Sequence, residues 1–192
     1  MAFKISEFRA NLGKLARPNL FIAKINTDIT GSISGDEALP DIQSTFSFRC
    51  ESAELPGRTL ATTDDVVGAG PSLKLPYDVT YNDMSLTIIC SQDMKERRFF
   101  EGWIDRIVGN ATSGKGGLIN YYENYATGIL EIEQLDEAGD VLIRYEMTQV
   151  YPIAITAMTA SWADDNTYQR FGVTMAYRYY TWSTGQAAAA LG

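Results

Sequence analysis

The second half of the chain alternates apolar and polar residues in runs that suit a β-sheet with two unlike faces. Between Ile129 and Leu135, Leu130 and Ile132 point one way and Glu131 and Glu133 the other. Asp136-Glu137-Ala138-Gly139-Asp140 then reads as a turn, and 141–150 returns with Val141, Ile143, Tyr145 and Met147 on one face. A long closing strand, Arg170–Trp182, sets Phe171, Val173, Met175, Tyr177 and Tyr179 against Gly172, Thr174, Ala176 and Arg178. A one-residue slip in such a run would turn its whole apolar set into water, so the pattern fixes register as well as strand. Residues 153–162 are apolar and threonine-rich, a further strand or a short irregular piece, and 184–192 form a small, uncharged tail expected to be flexible or draped on a partner.

The first half is less regular. Ile5, Phe8, Leu12 and Leu15 form one stripe of a short helix with basic residues beside it, too short to be stable alone in water. It is either a terminal helix folded onto its own domain or an arm reaching a neighbour. Pro18 ends it, and Leu20–Ile25 opens as a strand. Residues 27–45 and 58–78 are rich in turn formers and read as extended loops, the second carrying Asp64 and Asp65. Between them Phe46–Cys50 reads as a strand leading to Leu55-Pro56-Gly57, and Met84–Cys90 is another strand. A helix follows over 93–108. Phe100, Trp103, Ile104, Ile107 and Val108 make its apolar stripe, Asp93 with Glu96 a capping-box start, and Gly109-Asn110 the stop.

Charge is unevenly placed. The chain is −8 overall, but residues 1–19 carry Lys4, Arg9, Lys14 and Arg17 against Glu7, a net of +3 that leaves −11 for the rest. An acidic body is a poor non-specific binder of nucleic acid, because phosphate affinity comes from Lys and Arg. Two cysteines, Cys50 and Cys90, make no disulfide framework and are expected to be reduced core residues. Charged residues interrupt the N-terminus where a signal peptide needs an apolar run, and no stretch is long and apolar enough to span a membrane, so no membrane partner is expected.

Catalytic chemistry has little to stand on. The 192 residues include no histidine, which removes the commonest general base and most transition-metal sites. Gly109–Gly116 nearly fits a phosphate-binding loop, but Gly116 replaces the required hydroxyl and the loop follows a helix rather than opening one. The carboxylate pairs at Asp64-Asp65, Asp136-Glu137 and Asp164-Asp165 read as solvated turn residues, and the last lacks the glycine and terminal acid of a calcium loop. No cofactor, metal or catalytic residue is expected.

A resemblance runs along most of residues 16–180. Arg17-Pro18-Asn19-Leu20-Phe21, the Leu55-Pro56-Gly57 turn, Leu86–Ile89 entering a helix that carries Phe99 and Trp103, Tyr121-Tyr122 with Tyr125, and Trp162 ahead of Phe171–Tyr177 occur in that order. The sequence thereby resembles the tail tube proteins of phages with long contractile tails. The resemblance implies a mainly β fold, a β-barrel or sandwich of two packed sheets with one flanking α-helix, long loops and N- and C-terminal arms. It divides the chain into an arm (1–15), a tube domain (16–183) and a tail (184–192). It further implies hexameric rings stacked into a tube that carries the genome out, with tail sheath, baseplate or tube initiator, tail terminator, a tape measure protein in the lumen and DNA in transit as partners. Phe8, Arg9, Leu12, Arg17, Pro18, Asn19, Asp64 and Asp65 are then inter-subunit candidates, and Glu131 and Glu133, looking away from the core, are lumen candidates. A tube-like baseplate initiator, or the inner tube of a related injection or secretion machine, is the alternative within this class. A soluble β-barrel enzyme is the distant alternative.

Overall fold

In the computed structural model, residues 16–27, 32–33, 37–38, 41–65, 70–108, 118–163, 165 and 167–185 are described. The strands are β1 (Phe21–Asn26), β2 (Ser32–Ile33), β3 (Glu37–Ala38), β4 (Cys50–Ala53), β5 (Arg58–Asp65), β6 (Leu73–Tyr81), β7 (Met84–Ile89), β8 (Gly128–Leu135), β9 (Val141–Ile155), β10 (Arg170–Ala176) and β11 (Tyr179–Thr184). Among the described residues three helices accompany them: α1 (Gln43–Arg49), α2 (Lys95–Val108) and the single turn α3 (Tyr122–Tyr125). The hydrogen-bonded path runs β1-β8-β9-β10-β7-β4, with β11 also on β9 and every pairing antiparallel.

Strand β9 belongs to two sheets. Its first part pairs with β8 and β11, and its last residues pair with β10. The change falls at Gln149, which the β8 ladder passes over between Ile129↔Thr148 and Gly128↔Val150, and which adopts a left-handed φ of 56°. A bulge of this kind bends a strand and sharpens its twist. The two sheets therefore face a common core. Ala23, Ile25, Leu130, Ile132 and Met147 come from one, Met84, Leu86, Ile88, Phe171, Val173 and Met175 from the other.

The closing run predicted as one strand, 170–182, is two. β10 follows the far part of β9, and β11 follows the near part. Between them the Arg178 N–H donates to Thr148 O and its guanidinium to Gln149 Oε1. The chain must break where its partner bends. Conversely, the pieces read separately at 141–150 and 153–162 are one strand as far as Ile155.

The predicted strand at Phe46–Cys50 begins as helix. Ile42, Phe46 and Cys50 are buried while Phe48 is 85% exposed, a period of four rather than two. Only from Cys50 does the backbone extend and pair with β7. Helix α2 matches its expected span to within two residues. Its buried face is Glu96, Phe99, Phe100, Gly102 and Trp103, whereas Val108, assigned to the stripe, is exposed. The cap is made by Ser91 rather than Asp93: Ser91 Oγ accepts from the Lys95 N–H, and Glu96 accepts from both the Ser91 N–H and hydroxyl.

Trp103 seats the helix on the sheet. Its indole donates to Tyr125 O at 3.0 Å, and its ring stacks near Phe100 and edge-on to Phe99. Gly128 lies beneath it. A Cβ there would stand 2.7 Å from both Trp103 Cη2 and Val150 O, and the latter is backbone that cannot swing away. Gly128→Ala is therefore expected to cost about 2–3 kcal/mol by overpacking, read as a lower urea midpoint. An unchanged midpoint would contradict this seating.

Candidate assembly surfaces

The sheet β1-β8-β9-β11 has one face in the core and one turned away from it. Register aligns the outward residues in rows: Ile22, Glu133, Arg144 and Ser183; Lys24, Glu131, Glu146 and Thr181; Asn26, Ile129, Thr148 and Tyr179. Each row steps straight across four strands, since registered partners share a face. The two cations on this face are Lys24 and Arg144, and the three carboxylates are Glu131, Glu133 and Glu146.

The alternation correctly places Glu131 and Glu133 on the face away from the core, but Glu133 does not look into open water. It is 3% exposed, while Glu131 is partly exposed. Lys24 Nζ donates to Glu133 Oε2 at 2.8 Å, and Arg144 Nη2 stands 2.5 Å from Oε1. These two long side chains fold over the carboxylate and cover it. Burial alone would raise the Glu133 carboxyl, but the Lys24 hydrogen bond and the Lys24 and Arg144 charges outweigh it and hold it below the usual range. Period-two reasoning gives the face of a side chain, but not which neighbours fold over it.

The segment expected as a loop over 58–78 is mostly a hairpin, β5 paired with β6 along its length. Asp64 and Asp65 are exposed strand residues there, in register with Lys74 and Leu73. The root is clamped. Tyr81 packs against Tyr177 and Tyr180 at 6.0 and 5.7 Å, the Arg58 guanidinium lies over the Tyr180 ring, and the Tyr177 hydroxyl donates to Gly57 O. Burial first, then Tyr180, Asp83 and Tyr81, push the Tyr177 hydroxyl up to about 12, so it remains a donor across the neutral range.

Beyond that root the hairpin is uncovered. Leu60, Leu73, Leu75, Tyr77 and Val79 are 41–72% exposed. The register shifts at Ala61/Thr62 and passes over Tyr77, so Leu60 and Val79 share one face near the root while Leu73 and Leu75 lie on the other towards the tip. The signal was present in the sequence as Leu73-x-Leu75-x-Tyr77-x-Val79-x-Tyr81, but Gly70, Pro71 and Pro76 argued for a loop. Pro76 is tolerated because, among the described residues, this ribbon has no third strand that would need its missing N–H.

The remaining candidates scatter. Phe8, Arg9 and Leu12 lie outside the described residues. Pro18 and Asn19 form an exposed turn, and Arg17 pairs with Glu137 at 2.6 Å while its carbonyl accepts from Gln134 Nε2. This turn sits beside the β8–β9 hairpin, whereas Asp64 and Asp65 lie on the β5–β6 hairpin. Cys50 is a buried free thiol pushed up to about 12 by burial, as expected of a reduced core cysteine, and Cys90 is free and partly buried.

A strand-rich body with one ion-paired sheet face and one exposed apolar hairpin makes this a mainly β protein whose distinctive surfaces are sheets. The family model described as "Phage tail tube protein" matches residues 16–183, and the chain belongs to that family. It is 23% identical to tail tube protein gp19 of Enterobacteria phage T4 over 168 residues, 88% of this chain and 92% of that one. The same fold occurs in the anti-feeding prophage tube-terminating cap (TM-score 0.59, 19% identity, 89% of this chain and 92% of that one). It occurs again in the PVC sheath–tube complex of an extracellular contractile injection system (TM-score 0.58, 16% identity, 95% and 99%). The protein is a structural component of a virion tail, not an enzyme.

Acid should weaken this fold in a defined window. Glu133 and Glu96 are both held below the usual carboxylate range; for Glu96 burial is outweighed by the Ser91 hydrogen bonds and the Arg49 charge. Depressed carboxyls contribute stability that is present above their unfolded value of about 4.3 and lost as pH falls through the folded one. Glu133→Gln is expected to cost about 1–2 kcal/mol at pH 7 and less at pH 3. Urea unfolding at the two pH values checks it; an equal cost at both would contradict the ion-paired state.

Proposed function

We propose that this chain is the inner-tube subunit of a contractile phage tail. Subunits join head to tail into six-membered rings, rings stack into a hollow tube, and the genome leaves through the bore. The observation that carries this reading is the polar face of β1-β8-β9-β11, backed by the core and bounded by the edge strands β1 and β11. A two-faced sheet with free edges gains by pairing them, and edges of different strands make a heterologous contact that closes as a ring. Its outward face then lines the bore, with Glu131 and Glu146 as the carboxylates nearest passing DNA.

Stacking falls to the hairpin and to the arm. The hairpin carries apolar residues on both faces, as suits a ribbon gripped between copies. The arm, with Phe8, Arg9 and Leu12, brings basic charge to an acidic body. The turn at Arg17, Pro18 and Asn19 is the joint between arm and domain. Sheath, terminator and baseplate or initiator proteins are the outer and end partners, in keeping with the assemblies in which chains of this fold occur. A tape measure protein and DNA occupy the lumen in turn, without specific binding. A second reading, a terminator or baseplate-level ring, is favoured by folds of equal similarity in a tube-terminating cap and a baseplate.

Negative-stain microscopy separates the two. Long tubes are expected of a tube subunit; single rings that never lengthen would favour the second reading. Leu75→Asp with Tyr77→Asp, and deletion of residues 1–15, should each leave a folded domain by circular dichroism and block stacking. Long tubes from either variant would remove that element from the coupling.

A further inference from the structure

Lys24 and Arg144 are the cations of the outward face, and both are held by one residue. Glu133 uses Oε2 for Lys24 and Oε1 for Arg144, at 2.8 and 2.5 Å, and is itself buried beneath them. Neither cation is deep: their side chains are 49% and 33% exposed. Without Glu133 they would present two positive charges on adjacent rows of a surface that also contains Asn26, Thr148, Thr181 and Ser183. Groups of this kind bind phosphates, the cations by releasing counterions and the others by hydrogen bonds.

We propose that Glu133 is a charge-masking residue: it occupies Lys24 and Arg144 so that the face does not bind a phosphate backbone. A cation already paired with a buried carboxylate must give up that pair to take a phosphate, so little is gained. Glu131 and Glu146 stand directly opposite each other in the neighbouring row and add repulsion, but among the described residues it is Glu133 that is hydrogen-bonded to Lys24 and ion-paired with Arg144. Masking accounts for something an acidic wall alone does not: why cations are present on the face at all. They cover the carboxylate, pin three strands in register, and remain silent towards DNA. The role of this silence in genome passage rests on the bore reading above; the masking does not.

The test is a double-mutant cycle read as binding of a short fluorescent DNA duplex to the free full-length subunit at low salt. Lys24→Gln alone should leave the already weak binding unchanged. Glu133→Gln should raise the binding constant about tenfold and steepen the log K against log salt slope by about 1.8, the contribution of two released cations. Adding Lys24→Gln to Glu133→Gln should return roughly half of that slope. Should Glu133→Gln not fold, Glu133→Ser, which also removes the carboxylate charge, is read in the same way. A folded Glu133 variant with no gain in DNA binding, or a gain that Lys24→Gln does not diminish, overturns the proposal. Assembled tubes of the variant distinguish the bore reading: bound DNA protected from nuclease lies inside, whereas digestible DNA on the outer wall sinks the bore reading and leaves masking in place.

Discussion

The structure depends on the bend in β9. This strand is the partner of β8 and β11 before Gln149 and of β10 after it, so one bulge turns a continuous hydrogen-bonded path into two sheets that face each other. Gln149 holds a left-handed φ that costs a non-glycine residue about 1 kcal/mol, and its side chain is engaged by Arg178 at the break between β10 and β11. The seat of α2 lies at the same point. Val150, next along β9, is opposite Gly128, and only glycine leaves room there for the Trp103 ring. Bend, helix seat and aromatic core are thus one packing problem solved together.

The two sheet faces divide the chemistry. Inward, the fold buries an aromatic cluster of Phe46, Phe99, Phe100, Trp103 and Phe171. Outward, it sets charge against charge at fixed register, and the most buried of these charges has two partners. A buried carboxylate is costly to desolvate and adds little net stability, but removing one partner leaves a charge unpaired, so such a cluster penalises every alternative strand register. That penalty matters for a sheet whose end strands β1 and β11 have one paired neighbour each among the described residues.

Much of this was legible in the sequence, and the failures have physical causes. Alternation found β8, the first part of β9 and β10, because each has one buried and one wetter face. It missed the single strand through Ile155, where Pro152 and a change of partner interrupt the pattern. Phe46 and Phe48 looked like strand neighbours, but Ile42, Phe46 and Cys50 bury at helical spacing. The hairpin was hidden because turn-forming residues in it do not prevent pairing in a ribbon that has two strands among the described residues. The face of Glu133 was readable from period two. Its burial was not, because Lys24 lies 109 residues away and only the β1–β8 register brings them together.

We propose that the ion-paired face of β1-β8-β9-β11 forms the inner wall of a tube. A cryo-electron microscopy map of the assembled protein tests it most directly. A hollow tube is expected, with Glu131, Glu146, Thr181 and the Lys24–Glu133–Arg144 cluster facing the bore and β1 of one subunit beside β11 of the next. A tube with that face on its outer wall, or rings joined with β1 and β11 both unpaired, would contradict it.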